Sequence, residues 1–319
     1  MKINQMPAIT WGRLDVNDAT IEDIEFNKPA LPKEDVPEGV SAEDHEDGRR
    51  YLFSKSTSSP LRLDIGISEE SSTKILIDVE EGTSAFVIED ISKEASGTGL
   101  ISTSYNVGKR ACLKFVQIVR CGGDSVAVNR IEGHAGEDAD ISVIQIFMDT
   151  SSNYTEFLTD LDGDSASLKA DVGYIVDGGN TLDMNYVITH RGKRTESLLT
   201  IDGVLYDGAS KTFRGTIDLK HGCAEAKGTE NENVLLIGDT MINKTVPVIL
   251  CDEEDVEGNH GATIGKLDED LVFYLESRGI SPDEINSLMA DARIRRVASL
   301  IGDDKITDTI LINDNESEE

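Results

Sequence analysis

The sequence predicts a mainly β protein, with an extended arm before a long strand-rich core and a helical region after it. The core prediction depends on repeated short runs of aliphatic and β-branched residues that alternate with polar ones, which is the period of a strand. Gly, Asp and Asn close many of these runs, and aromatic residues make up only 5% of the chain. The core must therefore be built mainly from Ile, Val, Leu and Ala.

Residues 1–58 are predicted to form an arm. The segment NDATIEDIEF favours a short helix whose N-terminal cap is Asn17 or Asp18. The following segment, KPALPKEDVPEGVSAEDHEDG, combines three prolines with many carboxylates, a composition typical of extended or loosely packed chain. The arm is therefore expected to be partly helical and partly extended.

Residues 59–265 are predicted to form the core. Twelve strand-like runs follow one another there: LRLDIGI, TKILIDV, SAFVIED, CLKFVQIV, DSVAVNRIEG, DISVIQIFMD, SASLKADVGYIVDG, LDMNYVITHRG, ESLLTIDGVLYDG, FRGTIDLK, ENVLLIGD and VPVILCD. No stretch of this region has the 3.6-residue period of a helix. A two-layer sandwich and a β-solenoid both fit the pattern. Repetitive spacing, one-sided Gly- or Asp-rich turns and polar faces of Thr, Ser and Asn favour the solenoid.

Residues 266–302 change to a helical pattern. LDEDLVFYLESRGI predicts a helix that ends at Gly279, with Arg278 in its last turn. A second helix is predicted to begin after Ser281, because Pro282 suits its first position and Glu284 completes a capping box. The remaining residues, 303–319, form an acidic tail that is expected to fray.

The charge balance restricts the classes of ligand. The chain has 61 acidic and 30 basic residues, which gives a formal net charge of −31. Because phosphate binding requires Lys and Arg, neither nucleic acid nor an anionic membrane surface is an expected partner. The excess of acid has three interpretations: a solvated surface for a salty cytoplasm, self-repulsion that maintains solubility, or binding of cations.

Neither a membrane segment nor a targeting segment is predicted. No apolar run approaches the length of a membrane-spanning helix, and the N-terminus has no apolar signal core. A cytoplasmic location is therefore expected, where the four cysteines should remain thiols. The chain contains no CxxC pair, which argues against a structural zinc site.

The C-terminal part of the chain contains a long and specific motif, HGATIGKLDEDLVFYLESRGI, at 260–280. FRGTIDLKHG and NVLLIGD precede it, and TWGRLDVN stands near the N-terminus. Together, and in this order, these segments resemble the SufB/SufD family, the scaffold subunits of SUF iron–sulfur cluster assembly. The similarity covers both ends and most of 210–295, whereas 20–205 match in character more than in motif. The short chain resembles the compact members in which one type of scaffold serves both roles.

The resemblance implies a right-handed parallel β-helix with a helical C-terminal region, which favours the solenoid by analogy. It also implies an assembly scaffold rather than an enzyme, on which a transient iron–sulfur cluster of the [4Fe-4S] type is built. The implied partners are an ABC-type ATPase of the SufC kind and a second copy of the chain, so that two scaffolds and two ATPases form the complex. The chain has no G-x-x-x-x-G-K-[ST] motif, and nucleotide is therefore expected on the partner.

Candidate cluster ligands follow from the resemblance and from the preference of iron for thiolate, imidazole and carboxylate. His260 lies in the family's NHGAT/SHGAT motif, where a histidine is a proposed ligand, and Cys251 ends the strand before it. A turn at DEEDVEG is expected to bring Cys251 and His260 together. The expected metal ligands are Cys251, His260, Glu232, Cys223, Glu230 and Glu257, with Asn259 as a further contact to the cluster.

One position departs from the family's pattern. Aligned on NVLLIGD, the cluster-building cysteine of SufB is replaced here by Glu232. Either this carboxylate substitutes for the thiol, or Cys223 or Cys251 does. Glu230 would face the same way as Glu232 on an extended segment. For each of these residues a simpler role stays open: buried packing, a hydrogen bond at an interface, or a place in a solvated loop.

The helical end is the expected landing site for the ATPase. The residues assigned to this surface are Phe273, Tyr274, Leu275, Arg278, Ile285, Leu288 and Met289, whose alternative role is the internal core of the helical region. Two other functions stay open: a SufD-like structural or regulatory partner of the ATPase without its own cluster, and a β-helix enzyme that cleaves polysaccharide with paired carboxylates. The single tryptophan argues against the enzyme, because such grooves normally offer aromatic platforms.

Overall fold

Two stacks of strands, joined by short turns, form most of the molecule. This computed structural model describes residues 1–10, 12–46, 48–148 and 152–312. Its strands are β1 (Lys2–Ile3), β2 (Ala19–Thr20), β3 (Lys28–Pro29), β4 (Lys33–Asp35), β5 (Val40–His45), β6 (Gly48–Phe53), β7 (Leu61–Ile67), β8 (Ser71–Val79), β9 (Ser84–Lys93), β10 (Gly97–Val107), β11 (Cys112–Arg120), β12 (Ser125–Ala135), β13 (Asp140–Met148), β14 (Ser152–Leu161), β15 (Ser167–Val176), β16 (Thr181–His190), β17 (Glu196–Tyr206), β18 (Ser210–Leu219), β19 (Ala226–Ile237), β20 (Ile242–Cys251) and β21 (Val256–Gly265). Its helices are α1 (Glu269–Glu276), α2 (Pro282–Ala298) and α3 (Asp304–Ile312), with a 3-10 turn at Ser299–Ile301.

The core is a parallel solenoid. The even-numbered strands from β6 to β20 form one sheet, and the odd-numbered strands from β7 to β21 form the other. Each inner strand pairs in parallel with the strands one coil before and after it, as Val126 does with Ser152 and Ser210 with Ile242. One coil therefore takes 26 to 32 residues, and the described residues contain eight coils. The mainly β fold class and the solenoid are confirmed, and the sandwich is excluded.

The interior is filled by stacked columns of aliphatic and aromatic side chains. Because parallel pairing keeps the register, equivalent residues of successive coils lie directly above one another, as Phe115, Val143 and Ala170 do. All three are fully buried. A buried Val or Phe side chain stabilises a fold by roughly 1.5–3 kcal/mol relative to an exposed one. Thin layers of this kind need few large rings, which accounts for the low aromatic content.

Two inner strands, β10 and β14, do not stand out in the sequence. Their inward positions carry polar residues: Thr103 in β10, and Asn153, Thr155 and Thr159 in β14, all of them buried. Some of this polarity is satisfied inside the solenoid, where the hydroxyl of Thr103 donates to Glu89 at 2.8 Å. Since these inward faces lack aliphatic alternation, only pairing with the neighbouring coils identifies them as strands.

The described residues of the arm contain no helix, so the helix predicted for NDATIEDIEF is wrong. Ala19–Thr20 pair instead with Lys2–Ile3 in a small antiparallel ladder. The physical reason is tertiary contact with the core. The backbone carbonyls of Val16 and Asp18 accept hydrogen bonds from the guanidinium of Arg214, which holds this segment extended.

The first coil is closed by antiparallel strands. β4 lies antiparallel on β7, and β5 lies antiparallel on β6, so both strands of the first coil have a neighbour on that side. β3 adds two residues of parallel pairing with β8. The first coil begins at Gly48, so the last part of the segment predicted as an arm belongs to the core.

The C-terminal helices pack on the outer face of the odd-numbered sheet. Ile294 and Val297 of α2 are buried against it. Gly173 of β15 makes room for them, since a Cβ at that position would lie 3.2 Å from Val297. The start of α2 follows the sequence, because Ser281 and Glu284 form the predicted capping box. The packing of Ile294 and Val297 on the sheet fixes the helical region to the middle of the solenoid.

The expectation of a frayed tail is wrong for its first half. Ile306 and Ile310 of α3 lie four residues apart on one helix face and are buried near Ile301. This apolar face is what keeps α3 on the sheet. Residues 313–319 lie outside the described part of the chain. Among the helices that are described, none combines the length and the hydropathy needed to cross a membrane.

Candidate functional site at the open end of the solenoid

The solenoid ends in a coil with unpaired edges. Within the described residues, β20 has a neighbouring strand only in β18, and β21 only in β19. All residues of β21 between Glu257 and Ile264 are exposed. We refer to 242–265 as the open end. Its inward side chains meet solvent because no further coil of the described chain covers them.

Two interior columns continue to the open end. His260 is the pairing partner of Glu230, and Cys251 is that of Leu219, one coil below. Glu230 and Leu219 point into the solenoid and are buried. His260 and Cys251 therefore occupy inward positions of the last coil, and both are exposed at its mouth.

A buried ion pair lies directly beneath the open end. The ammonium of Lys211 donates to a carboxylate oxygen of Glu232, and both side chains are almost fully buried. Thr245 completes the cluster, because its hydroxyl accepts from Lys211 at 3.0 Å and donates to Glu232 at 2.7 Å. Burial lowers the pKa of Lys211, and the charge of Glu232 opposes that shift. The carboxylate of Glu232, a predicted ligand, is thus already held by a cation.

Glu230 lies beside this pair and one coil below His260. Burial raises the pKa of Glu230 to about 8, and the negative charge of Glu232 contributes to the rise. Gly215 leaves the space that this carboxyl occupies, because a Cβ there would lie 1.9 Å from its Oε2 atom. At neutral pH Glu230 therefore carries a proton, and a cation bound near it would displace that proton.

Tyr174 adds a hydroxyl to this interior. Its ring passes over Gly203 of the next coil, where a Cβ would lie 1.9 Å from the ring. Burial, followed by the charge of Glu232, raises the pKa of Tyr174 well above its usual value. Its hydroxyl has no hydrogen-bond partner among the described residues. The space below the open end thus combines an ammonium, two carboxyls and two hydroxyls within an aliphatic wall.

Cys223 and Cys251 lie at a corner that joins the two sheets. Cys251 is exposed and donates its thiol hydrogen to the carbonyl of Glu253 at 3.1 Å. Cys223 is buried in the turn one coil below, and burial, followed by the charges of Glu253 and Cys251, raises its pKa. A raised pKa keeps Cys223 a thiol, whereas thiolate is the form that binds metals. Of the two neighbouring thiols, Cys251 is the accessible one.

Cys251 and His260 do not meet within one chain. The expected turn forms at 252–255, and it places Ile249 across from Gly258, whose Cβ position would lie 3.0 Å from Ile249. Cys251 therefore stands opposite Val256, four residues before His260. At about 3.3 Å per residue this separates them by ~13 Å along the strand, which is too far to share one metal ion. The turn was expected to bring Cys251 and His260 together. Instead, His260 lies four residues further along β21 than the position opposite Cys251.

Glu257 and Asn259 lie on the outer face of β21, because side chains alternate along a strand. The carboxylate of Glu257 forms an ion pair with Lys227 at 3.4 Å. The outer face separates these two residues from His260, which points inward. The predicted ligands therefore fall into three places: the interior column with His260, Glu230 and Glu232, the corner with Cys223 and Cys251, and the outer face with Glu257 and Asn259.

The helical end exposes part of the predicted docking surface. Phe273 and Tyr274 are 73% and 52% exposed on α1, and Leu288 is 56% exposed on α2. The guanidinium of Arg278, also exposed, lies 5.0 Å from the centroid of the Tyr274 ring. Ile285 is buried and belongs to the interior of the helical region. Leu275 and Met289 are half-buried between these two environments.

A second group of metal-type donors lies on the outer face of the even-numbered sheet. One ligand atom each from His134, Asp160 and Asp162 lie within 4.8 Å of one another. Arg191 already neutralises this group, with its guanidinium 2.9 Å from Asp160 and 3.5 Å from Asp162. His134 in turn lies 2.8 Å from Asp162. We interpret the group as a charge ladder across successive coils.

Sequence reasoning did not identify Lys211, Thr245, Gly215 or Tyr174. A signal for Lys211 exists in KTFRGTIDL, where Lys, Phe, Gly, Ile and Leu alternate with polar residues. This phase puts Lys211 on the same inward face as Phe213. A charged residue in the phase of the core requires a buried partner, and that partner is Glu232.

Comparison with known proteins gives a consistent set of relatives. A family model described as SUF system FeS cluster assembly, SufBD core domain, matches residues 65–293. The chain is 30% identical over 167 residues to the iron–sulfur cluster assembly protein SufD of Bacillus subtilis (strain 168), which covers 52% of this chain and 38% of the relative. Against SufD of Escherichia coli (strain K12) the identity is 24% over 153 residues, which covers 48% and 36%. Against a chloroplastic SufBD family protein of Arabidopsis thaliana it is 27% over 122 residues, which covers 38% and 22%. The matches thus span less than two-fifths of each relative's length.

Proposed function

The chain belongs to the SufBD family, which implies a role in SUF iron–sulfur cluster assembly, and from this premise we propose that it is a scaffold on which a cluster is built at the open end. The cluster is cargo rather than a resident cofactor, and ATP hydrolysis belongs to a partner subunit. One observation carries the proposal: unpaired strand edges coincide with inward imidazole, carboxyl and thiol groups at a single end of the solenoid.

The edge of β21 supports pairing with a second copy of the chain. An exposed strand edge attracts another strand unless charges, proline or a covering segment block it. β21 has ten residues, of which Glu257 is the one with a formal charge at neutral pH, and it contains no proline. β20 contains Pro247, which removes one donor, so β21 is the better edge. A two-fold axis at the open end would make this contact self-complementary.

A second copy also resolves the distance between the two best donors. Cys251 and His260 of one chain are too far apart for one iron, but a two-fold axis can bring the imidazole of one copy towards the thiol or imidazole of the other. Glu230, one coil below, would supply a carboxylate after losing its proton to solvent. Mixed and incomplete ligation of this kind holds iron less firmly than four thiolates do, which suits a cluster that must leave.

The exposed aromatic surface of α1 supports docking of an ABC-type ATPase. Phe273 and Tyr274 are exposed on α1, and Leu288 is a further exposed apolar residue on α2. Exposed aromatic residues flanked by an arginine are typical of interface centres. We assign this surface to the ATPase rather than to the second scaffold copy, because it lies on the helical region and the scaffold contact uses the open end.

The test is anaerobic reconstitution with ferrous iron, sulfide, a thiol reductant and a partner ATPase with ATP. We expect a dimer in analytical ultracentrifugation and visible absorbance from iron bound to sulfide. His260→Ala and Cys251→Ser should each reduce the iron bound per dimer, while His134→Ala, on the outer face, should not. Wild-type protein that stays monomeric and free of iron, or variants that load iron as wild type does, would contradict the proposal.

A second function is favoured by the state of Glu232. Because Lys211 and Thr245 already engage this carboxylate, the position that is a cysteine in SufB offers no free ligand here. A SufD-like partner, which binds and stimulates the ATPase without holding a cluster, is compatible with that. The same reconstitution separates the two functions: a stable ATPase complex with stimulated hydrolysis but no bound iron would identify the SufD-like role.

A further inference from the structure

We infer that Arg214 is a positioning residue that clasps the first part of the arm, residues 1–10 and 12–21, across the outer face of the even-numbered sheet and thereby holds β20 in place. We call Arg214, Asp183 and Asn4 the clasp. The part of the inference that concerns the open end rests on the proposed function, whereas the clasp itself does not. Arg214 points outward from β18 and yet is 1% exposed, because the arm covers it.

One guanidinium joins the arm to two strands of the core. Its Nη1 and Nη2 atoms donate to the two carboxylate oxygens of Asp183 on β16, at 2.6 and 3.1 Å. Its Nε donates to the carbonyl of Val16, and Nη2 also donates to the carbonyl of Asp18 at 3.1 Å. Lysine cannot reproduce this pattern, because its ammonium lacks the planar fork of donors.

A second attachment lies beside the first. The side-chain amide of Asn4 donates to Asp183 twice, to Oδ1 at 2.6 Å and to the backbone carbonyl at 3.0 Å. Asn4 is buried and has φ of +52°, a conformation that asparagine tolerates better than most residues. Asn185 of the same strand donates to the carbonyl of Gln5 at 3.2 Å. Residues 4–5 of the arm are thus attached to β16, and residues 16–18 are attached to β18, its neighbour in the sheet.

The arm continues from the clasp onto β20. Met6 and Val16 form a buried apolar cluster with Val246, and the half-buried Val248 packs against it. The ammonium of Lys244 also reaches the carbonyl of Leu14 at 3.4 Å. The residues of β20 that face the arm alternate with Thr245 and Cys251, which face the interior. Contact with the arm therefore determines how the inward residues of this strand are presented.

The consequence follows from the position of β20 at the sheet edge. An edge strand has backbone hydrogen bonds on one side only and is among the first elements to open locally. Here the arm packs on the outward side chains of β20, while the backbone edge of the strand stays unpaired among the described residues. Loss of the clasp should therefore loosen β20 first, and with it Thr245, which ties Lys211 and Glu232 to the open end.

The experiment is hydrogen–deuterium exchange, read by mass spectrometry, on the isolated chain without iron. Arg214→Lys keeps a positive charge next to Asp183 but cannot bind both arm carbonyls. We expect amides of β20 to exchange at least roughly tenfold faster than in wild type, while β12 and β14 keep wild-type rates. A matched control is Arg130→Lys, on the same sheet face but away from the arm, which should leave β20 unchanged.

A second variant tests whether faster exchange in β20 of Arg214→Lys is caused by misfolding. Removal of residues 1–21 leaves Arg214 and Asp183 paired and in contact with water, so no buried charge is left alone. It should accelerate exchange in β20 as Arg214→Lys does, and it should weaken the dimer. Unchanged exchange in β20 in both variants would overturn the clasp.

The outcomes also separate the clasp from the proposed function. Faster exchange in β20 with undiminished dimerisation and iron loading would overturn its role at the open end. A wild-type chain that neither dimerises nor binds iron would contradict the proposed function, while the exchange measurement would still decide whether the clasp holds β20.

Discussion

The two ends of the solenoid are built on the same coil but finished differently. At the N-terminal end, β4 and β5 turn antiparallel and cover the first coil. At the C-terminal end, β20 and β21 keep the parallel register of the coil below and are left without a further neighbour in the described chain. Because an uncovered edge invites pairing with another strand, this difference between the two ends supports the proposed contact with a second copy at the open one.

The buried carboxyl groups near the two ends also differ in the charge of their partners. In the second coil, Glu89 accepts from Thr103 and from Gln117, each at 2.8 Å, and Gln145 extends the ladder by donating to Gln117 at 2.9 Å. These partners are uncharged. Below the open end the partners are an ammonium and a second carboxyl. The hydrogen bonds of Glu89 near the capped end are therefore made by uncharged groups, whereas a buried ion pair lies below the open end.

The largest expected effect concerns the charge below the open end. Lys211→Met leaves Glu232 buried without its cation, and we expect the free energy of unfolding in urea to fall by about 3–5 kcal/mol. Lys227→Met, one strand away on the outer face, removes only an exposed ion pair and should cost less than about 1 kcal/mol. The double variant Lys211→Met with Glu232→Leu should recover much of the loss. Equal losses for the two lysine variants would show that the buried ion pair contributes no more to the free energy of unfolding than the exposed one.

The next largest effect concerns pH at the capped end. Burial raises the pKa of Glu89 from its usual value of 4.5 to about 7, so the folded state holds a proton that the unfolded state releases. The stabilising contribution of Glu89 to the free energy of unfolding is fully present below pH 4.5. It is lost as the pH rises through 7, by about 3 kcal/mol in total. Glu89→Gln should therefore gain stability relative to wild type between pH 4.5 and 7.

The measurement is the difference in urea unfolding free energy between Glu89→Gln and wild type at several pH values. Taking the difference cancels the other buried groups: Glu230, whose pKa of about 8 gives the same sign, and His190, whose pKa is lowered to about 4 by burial and gives the opposite one. A difference that does not change with pH would mean that Glu89 is ionised in the folded state at all of these values.

Much of the fold could be predicted from the sequence, for a physical reason. Strands whose inward positions are mainly Val, Ile and Leu can be recognised by the alternation of apolar and polar residues, as in β7 and β11. β10 and β14 could not be found this way, because some of their buried inward positions carry Thr or Asn in place of aliphatic residues. The arm was assigned a helix by local propensity. Its actual shape is imposed by Arg214, about 200 residues further along the chain, which local propensity does not register.

The candidate site could be predicted only in part. The motif around His260 and the strand end at Cys251 predict a site in the last coil, and the structure places both residues there at inward positions. The sequence did not reveal that inward and outward residues of β21 face different environments, so Glu257 was grouped with His260. The partnership of Lys211 with Glu232 was also missed, because two residues 21 apart in sequence become neighbours only when the coil length is known.

A smaller effect tests the space reserved for Glu230 at the open end. In Gly215→Ala the new Cβ would lie 1.9 Å from Oε2 of Glu230, so the carboxyl must move. We expect a loss of about 1–3 kcal/mol in thermal or urea unfolding, as for other overpacked interiors. Gly265→Ala, in the same end but with no atom within 4 Å of the added methyl group, should be neutral. Combining Gly215→Ala with Glu230→Ala should restore the part of the stability lost to this clash, and the remainder is expected from Phe213, whose Cζ atom would lie 2.7 Å from the added Cβ. No recovery in the double variant would show that the Glu230 carboxyl does not occupy this space.

The smallest effect distinguishes the two faces of β21. Glu257 points outward and pairs with Lys227 at 3.4 Å between exposed side chains, so Glu257→Gln should change the unfolding free energy by less than about 0.5 kcal/mol. It should also leave the iron bound on anaerobic reconstitution unchanged, whereas Glu230→Gln, on the inner face, should lower it and reduce the proton release per iron, because only the carboxyl proton is lost from the balance. Release is measured by calorimetry in buffers of different ionisation enthalpy. Loss of iron in Glu257→Gln with none in Glu230→Gln would put the metal on the outer face, and the contrast between a covered and an open interior would no longer explain the binding.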